Sequence, residues 1–180
     1  MKVAIKACLA AVTILALNGC NTLNALTGLP YNEGNGYKID HDRNIYSGGV
    51  HIEYKDKSLL ESEKRAEMEN KMASEQQTQD AISRLPEGGK IIVHYEQLTI
   101  EAANTEWLEY VIMVDGKEIY RKQGTDDIAN RPTSYSGGIG YWWNTDVVNL
   151  RQPVSFPFDF VVISNLATKR DTFTISAPKQ

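Results

Sequence analysis

Past residue 89 the chain runs in short apolar stretches of strand length, many alternating apolar with polar, each closed by glycine, proline or a polar cluster. A period of two places alternate side chains on one face of a strand, and no helix gathers such a pattern into a single stripe. Strands are therefore expected over residues 90–100, 107–114, 117–122, 141–143, 147–150, 156–163 and 172–176. Asp115-Gly116 between two of them is a hairpin signal, because both central positions of a type I′ turn need positive φ. Val93, Val111, Met113, Phe158, Phe160, Val162 and Phe173 are the expected core residues.

Six or seven short antiparallel strands predict a mainly β fold over residues 87–180. The expected architecture is an antiparallel β-sandwich, immunoglobulin-like or C2-like in arrangement. The Cys…Trp…Cys framework of true immunoglobulin domains is missing, so the expectation concerns architecture alone.

Residues 37–86 read differently. Tyr37, Ile39, Ile45 and Tyr46 precede Ser47-Gly48-Gly49, and Val50, Ile52 and Tyr54 then alternate, which predicts a short β-hairpin around the glycines. Residues 57–85 carry Glu, Lys, Gln, Ala, Met and Leu without Gly or Pro, predicting one long, charged, polar helix. Ser58 with Glu61 forms the expected capping box, and Pro86 with Gly88-Gly89 stops the helix. Met68 with Met72 and Ile82 with Leu85 share faces, but no heptad is sustained, so a coiled coil is not expected. Residues 20–36, rich in Asn and Gly, read as a flexible tether.

Composition narrows the partners. With 42% apolar residues the chain can fill a core, and 19 Lys and Arg against 23 Asp and Glu leave no basic footprint for nucleic acid. Its two cysteines are Cys8 and Cys20, so the remainder can build neither a disulfide nor a thiolate metal site.

Residues 1–20 read MKVAIKACLAAVTILALNGC. Lys2 and Lys6 give a positive start, and residues 7–17 form an apolar run of signal-peptide length, short of the ~20 residues a spanning helix needs. The run ends Leu17-Asn18-Gly19-Cys20, which resembles the lipobox of bacterial lipoproteins. The resemblance covers the signal segment alone. It implies a signal peptide over residues 1–19 and a mature N-terminus at Cys20 carrying a diacylglyceryl thioether and an N-acyl chain such as palmitate. Buried CH₂ groups contribute about 0.8 kcal/mol each, so several acyl chains hold a protein that one would not. Asn21, where Asp would favour the inner membrane, implies the outer membrane, with the domain periplasmic or surface-facing.

The residues able to carry chemistry are few. His51 and His94 lie opposite in parity to Ile52 and Val93 and should face solvent, and without HExxH or paired spacing no metal is expected at them or at His41. Asp40, Asp42 and Asn44 give the D-x-D-x-N opening of an EF-hand loop. Ile45 then stands at the glycine position and His51 at the bidentate glutamate, so calcium would need Asp126, Asp127 or Asp146 from other loops. A solvated acidic loop is the plainer reading. Ser47 and Ser136 lie in a repeated Tyr-Ser-Gly-Gly that is not a nucleophile elbow, so neither an enzyme nor a cofactor is expected.

Tyr135, Tyr141, Trp142 and Trp143 form the candidate ligand-binding cluster. Adjacent strand residues face opposite ways, so one tryptophan should enter the core and the other remain at the surface. There it could stack a sugar ring or anchor a protein. The expected function is a lipid-anchored envelope lipoprotein acting as a non-catalytic binding or accessory subunit of a cell-envelope assembly. Its partners would be the membrane, through the N-terminal lipid, and envelope proteins. The alternative is a glycan- or peptidoglycan-binding module using the aromatic cluster.

Overall fold

Alternation along the chain becomes two antiparallel sheets in the computed structural model, which describes residues 31–32, 36–42, 49–133, 135–136 and 138–178. The larger sheet runs β1 (Tyr31–Asn32), β2 (Lys38–His41), β11 (Lys169–Ser176), β10 (Phe158–Ser164), β5 (Leu108–Val114), β6 (Lys117–Gln123). The smaller runs β3 (Val50–Lys55), β4 (Lys90–Gln97), β9 (Trp142–Asn149), and β7 (Tyr135–Ser136) pairs with β8 (Ile139–Gly140) as a separate ribbon. The signal segment, Cys20 and most of the expected tether lie outside the described residues, although Tyr31 and Asn32 within that tether pair with Ile39 and Lys38.

Both sheets supply one core. Ile52, Tyr54, Ile91, Val93, Tyr95 and Val148 of the smaller sheet share a cluster with Leu108, Tyr110, Ile112, Phe158, Phe160, Val162, Phe173 and Ile175 of the larger. Tyr54 meets Phe158 edge-on with ring centroids 5.9 Å apart, a favourable aromatic geometry. The boundary expected at residue 87 does not separate two cores, because Ile39, Val50, Ile52 and Tyr54 belong to this same cluster.

Val93, Phe158, Phe160, Val162 and Phe173 are in the core as expected. Val111 and Met113 are not: Leu108, Tyr110 and Ile112 take the inward positions of β5. Val111 is buried instead on the sheet's other face, beside its strand neighbour Val161, and Met113 is half-buried there. Five consecutive apolar residues from Tyr110 hide the alternation, but Glu109, the one charge on the strand, shares parity with Val111 and Met113 and marks the outer face. Asp115 (φ 50°) and Gly116 (φ 73°) make the expected tight turn between β5 and β6.

The expected hairpin around Gly48-Gly49 falls largely on residues 43–48, which lie outside the described residues. On either side of them, β2 pairs with β11 and β3 with β4, in different sheets. The partner of β3 lies beyond the helical segment.

That segment is two helices where one long helix was expected. α1 (Lys57–Asn70) is capped by Asp56, whose Oδ1 accepts the Leu59 N–H at 2.8 Å, so Ser58 with Glu61 is not the cap. It ends where the Met72 N–H donates to the Glu69 carbonyl (2.9 Å) and the Ala73 N–H to the Met68 carbonyl (3.0 Å), the paired bonds of a Schellman motif. Met72 holds the left-handed position of that motif at φ 53°, normally taken by glycine. Ser74 then caps α2 (Glu75–Ile82) through a capping box with Gln77. Leu60 is the buried residue of α1, while Thr78 and Ile82 are those of α2, so the pair rests lightly on the domain.

One charged group sits inside the fold. Asp146 of β9 is 6% exposed and receives the Thr125 N–H (2.9 Å), the Thr125 hydroxyl (3.0 Å), the Val147 N–H (2.7 Å) and Lys122 Nζ (3.1 Å). Lys122 lies on β6, so the pair joins an edge strand of one sheet to an edge strand of the other. Burial pushes the Asp146 carboxyl up, but the Thr125 and Val147 N–H groups and then Lys122 outweigh it and hold it below the ordinary aspartate value. Burial and the adjacent Asp146 carboxylate both drive the Tyr110 phenol upward, and Lys122 Nζ lies 5.9 Å from that ring's centroid.

A carboxyl held lower in the folded than in the unfolded chain stabilises the fold above about pH 4 and ceases to do so as pH falls through its folded value. Asp146→Asn should therefore cost about 3 kcal/mol at pH 7 and flatten the fall of the thermal midpoint below about pH 5. Calorimetry across that range checks both, and a variant matching wild type at pH 7 would contradict the assignment. Met72 is 94% exposed, so Met72→Gly removes left-handed strain without opening a cavity and should raise stability by ~1 kcal/mol in chemical denaturation.

Candidate functional site

Trp142 and Trp143 occupy opposite faces of β9, as alternation requires, but neither joins the core. Trp142 shares parity with the buried Asn144, Asp146 and Val148, yet it pairs with Gln97, the last residue of β4, where the sheet ends. It is half-buried, and so is Trp143. The expectation of one core and one surface tryptophan is thereby corrected: β9 is a single strand that outruns the core at this end.

Trp143 has a local task. Its indole Nε1 donates to the Arg131 carbonyl at 3.0 Å, and its backbone exchanges hydrogen bonds with Asn130 at 2.7 and 3.2 Å. Tyr141 is half-buried beside it, and the backbone of Tyr135 pairs with Gly140 in the β7–β8 ribbon. Tyr141, Trp142 and Trp143 thus lie consecutively where β9, an outer strand of the smaller sheet, begins, with the two tryptophans on its opposite faces. Trp107, partly exposed at 37% and donating to the Glu101 carbonyl at 3.0 Å, is a surface aromatic that the sequence pattern did not single out.

An open groove of about 220 Å³ is lined by Tyr54, Asp56, Lys57, Glu87, Val154 and Phe156, among others. Its aromatic wall is tightly built. Tyr37 meets Tyr54 edge-on at 4.9 Å and donates its hydroxyl to Asp56 Oδ2 at 3.2 Å. The Tyr54 hydroxyl donates to the Gly88 carbonyl at 2.9 Å, and a Cβ on Gly88 would stand 2.1 Å from the Gln152 carbonyl oxygen. Lys57 and Glu87 pair across the rim at 2.7 Å.

The acidic residues considered for calcium do not converge. Asp40 is paired with Lys38 at 2.6 Å, Asp126 accepts from Asn104 at 2.8 Å, and Asp146 is engaged inside the fold. Asn44 and Ser47 lie outside the described residues. His51 and His94 face each other across β3 and β4 on the solvent face, as expected. Desolvation lowers His51, Glu96 opposes that, and His94 and His41 lower it further.

Asp42 instead groups with its chain neighbour His41 and with Asp171 of β11. His41 Nε2 lies 3.5 Å from Asp42 Oδ1 and 3.5 Å from Asp171 Oδ1, and the three ligating atoms lie within 4.8 Å of one another. Among the described residues these form a group able to hold a cation. A signal for Asp171 was present in the sequence: it shares strand parity with Phe173 and Ile175, where a charge is out of place unless partnered. No known protein family, curated protein or solved structure matches this chain.

Proposed function

We propose that the chain is a bacterial lipoprotein, held at the outer membrane by acyl chains on Cys20. In this reading its two-sheet domain is an antiparallel β-sandwich, immunoglobulin-like or C2-like, serving as a non-catalytic binding or accessory subunit of a cell-envelope assembly. The observation that carries the reading is Leu17-Asn18-Gly19-Cys20 closing an apolar run that follows Lys2 and Lys6. Loss of residues 1–19 leaves 17 basic against 23 acidic residues, a net −6. The acidic balance suits protein or glycan partners better than polyanions.

A second reading draws on the partial exposure of Tyr141, Trp142 and Trp143 along one edge. Half-exposed aromatic rings there suit the face of a sugar, which makes glycan or peptidoglycan the alternative ligand.

Cys20→Ser should abolish labelling by a fatty-acid analogue and release the protein from the membrane fraction. Undiminished label on that variant would contradict the anchor. Trp143→Ala that still folds but loses retention on purified peptidoglycan would support the second reading, and unchanged retention would remove Trp143 from it.

A further inference from the structure

His41 ends β2 at a core-facing position, and its ring stacks on Phe173 of β11 with centroids 4.3 Å apart and planes 11° from parallel. Asp42 continues the ladder beyond the strand: its N–H donates to the Thr172 carbonyl (3.1 Å), and its Oδ1 accepts the Thr172 N–H (3.2 Å). Asp171, one residue before that threonine, turns inward. Strand pairing between β2 and β11 thus brings an imidazole and two carboxylates together, and local contacts hold the first two in place.

The group is unsatisfied as it stands. Asp171 is 5% exposed, and its Oδ1 has no hydrogen-bond partner; the same holds for both ring nitrogens of His41. The 3.5 Å separations exceed the usual 2.7–3.2 Å of a hydrogen bond. A buried carboxylate oxygen without a donor is costly, and native structures rarely leave one. Lys169 offers partial charge relief at the other oxygen, its Nζ 3.5 Å from Asp171 Oδ2, but does not reach Oδ1.

We propose that His41, Asp42 and Asp171 bind a divalent zinc ion that ties β2 to β11. The spacing fits the ion: tetrahedral coordination with bonds of about 2.1 Å places neighbouring donors ~3.4 Å apart. Both separations from His41 Nε2 are 3.5 Å. Donor type agrees, because imidazole selects zinc and related transition metals over magnesium and calcium, while carboxylates complete its set and offset its charge. Three protein ligands leave a fourth position for water or a donor from a partner. Asp42, with its side chain 45% exposed, gives the ion a path from solvent. The site shares no residue with the proposed anchor or the aromatic cluster, so it does not depend on the reading of either.

The full-length chain in detergent, stripped with a chelator and titrated with zinc chloride, tests this by calorimetry, metal content after dialysis and thermal midpoint. One zinc per chain and a midpoint raised by several degrees are expected. Asp42→Asn, at a half-exposed position that the fold tolerates, should weaken binding about tenfold or more, and Asp171→Asn should do the same wherever it folds. His51→Gln and His94→Gln should bind as wild type, since that exposed pair is the rival zinc site. The proposal is overturned by a wild-type chain that takes up no stoichiometric zinc, by Asp42→Asn of unchanged affinity, or by uptake that disappears with His94.

Discussion

A carboxylate enclosed between two sheets governs how this fold closes. Asp146 is nearly removed from water, and a buried charge is tolerated only when its lone pairs are filled. Four donors fill them: two from Thr125, the Val147 N–H and Lys122. Those donors come from β9 itself and from the end of β6, so satisfying the charge requires the edges of the two sheets to meet in one register. Gly124 lets the chain leaving β6 pass tightly against the start of β5 on its way to Thr125, because a Cβ there would stand 1.8 Å from the Thr105 carbonyl oxygen. An apolar core alone would leave the relative position of the sheets less determined.

On the other flank the closure is aromatic. Tyr37 leads into β2 and Tyr54 lies on β3, and their edge-on contact, backed by Phe156 and Phe158, spans from one sheet to the other. Tyr54 then fastens the turn before β4 through the Gly88 carbonyl. Farther along β2, His41 and Asp171 repeat the theme of polar groups at core-facing positions, here without the donors that Asp146 enjoys. The contrast between a filled and an unfilled carboxylate is what gives the zinc proposal its force.

Much of this was legible from residue types. Period-two runs located the strands, Asp115-Gly116 located a hairpin, and the parity of His51 and His94 placed them on the solvent face. The phase of β5 was missed because five apolar residues in a row satisfy either face, although Glu109 held the answer. The break at Met72 was missed because it is a backbone event at a residue that favours helix, while Ser74 and Gln77 announced the restart. The pairing of β2 with β11 could not be read at all, since a strand's partner 130 residues away leaves no local mark, and with it went the meeting of Asp42 and Asp171.

The N-terminal strands β1 and β2 lie at the margin of the larger sheet. What makes this a single body is the closure between the sheets. The most direct test is a double-mutant cycle on Lys122→Met and Asp146→Asn, read by chemical denaturation at pH 7. If the buried pair locks the edges together, the two losses should fail to add by more than about 1 kcal/mol, as expected for a hydrogen bond to a charged group. Losses that add to within about 0.3–0.5 kcal/mol would show that the two residues act independently, and would contradict the account.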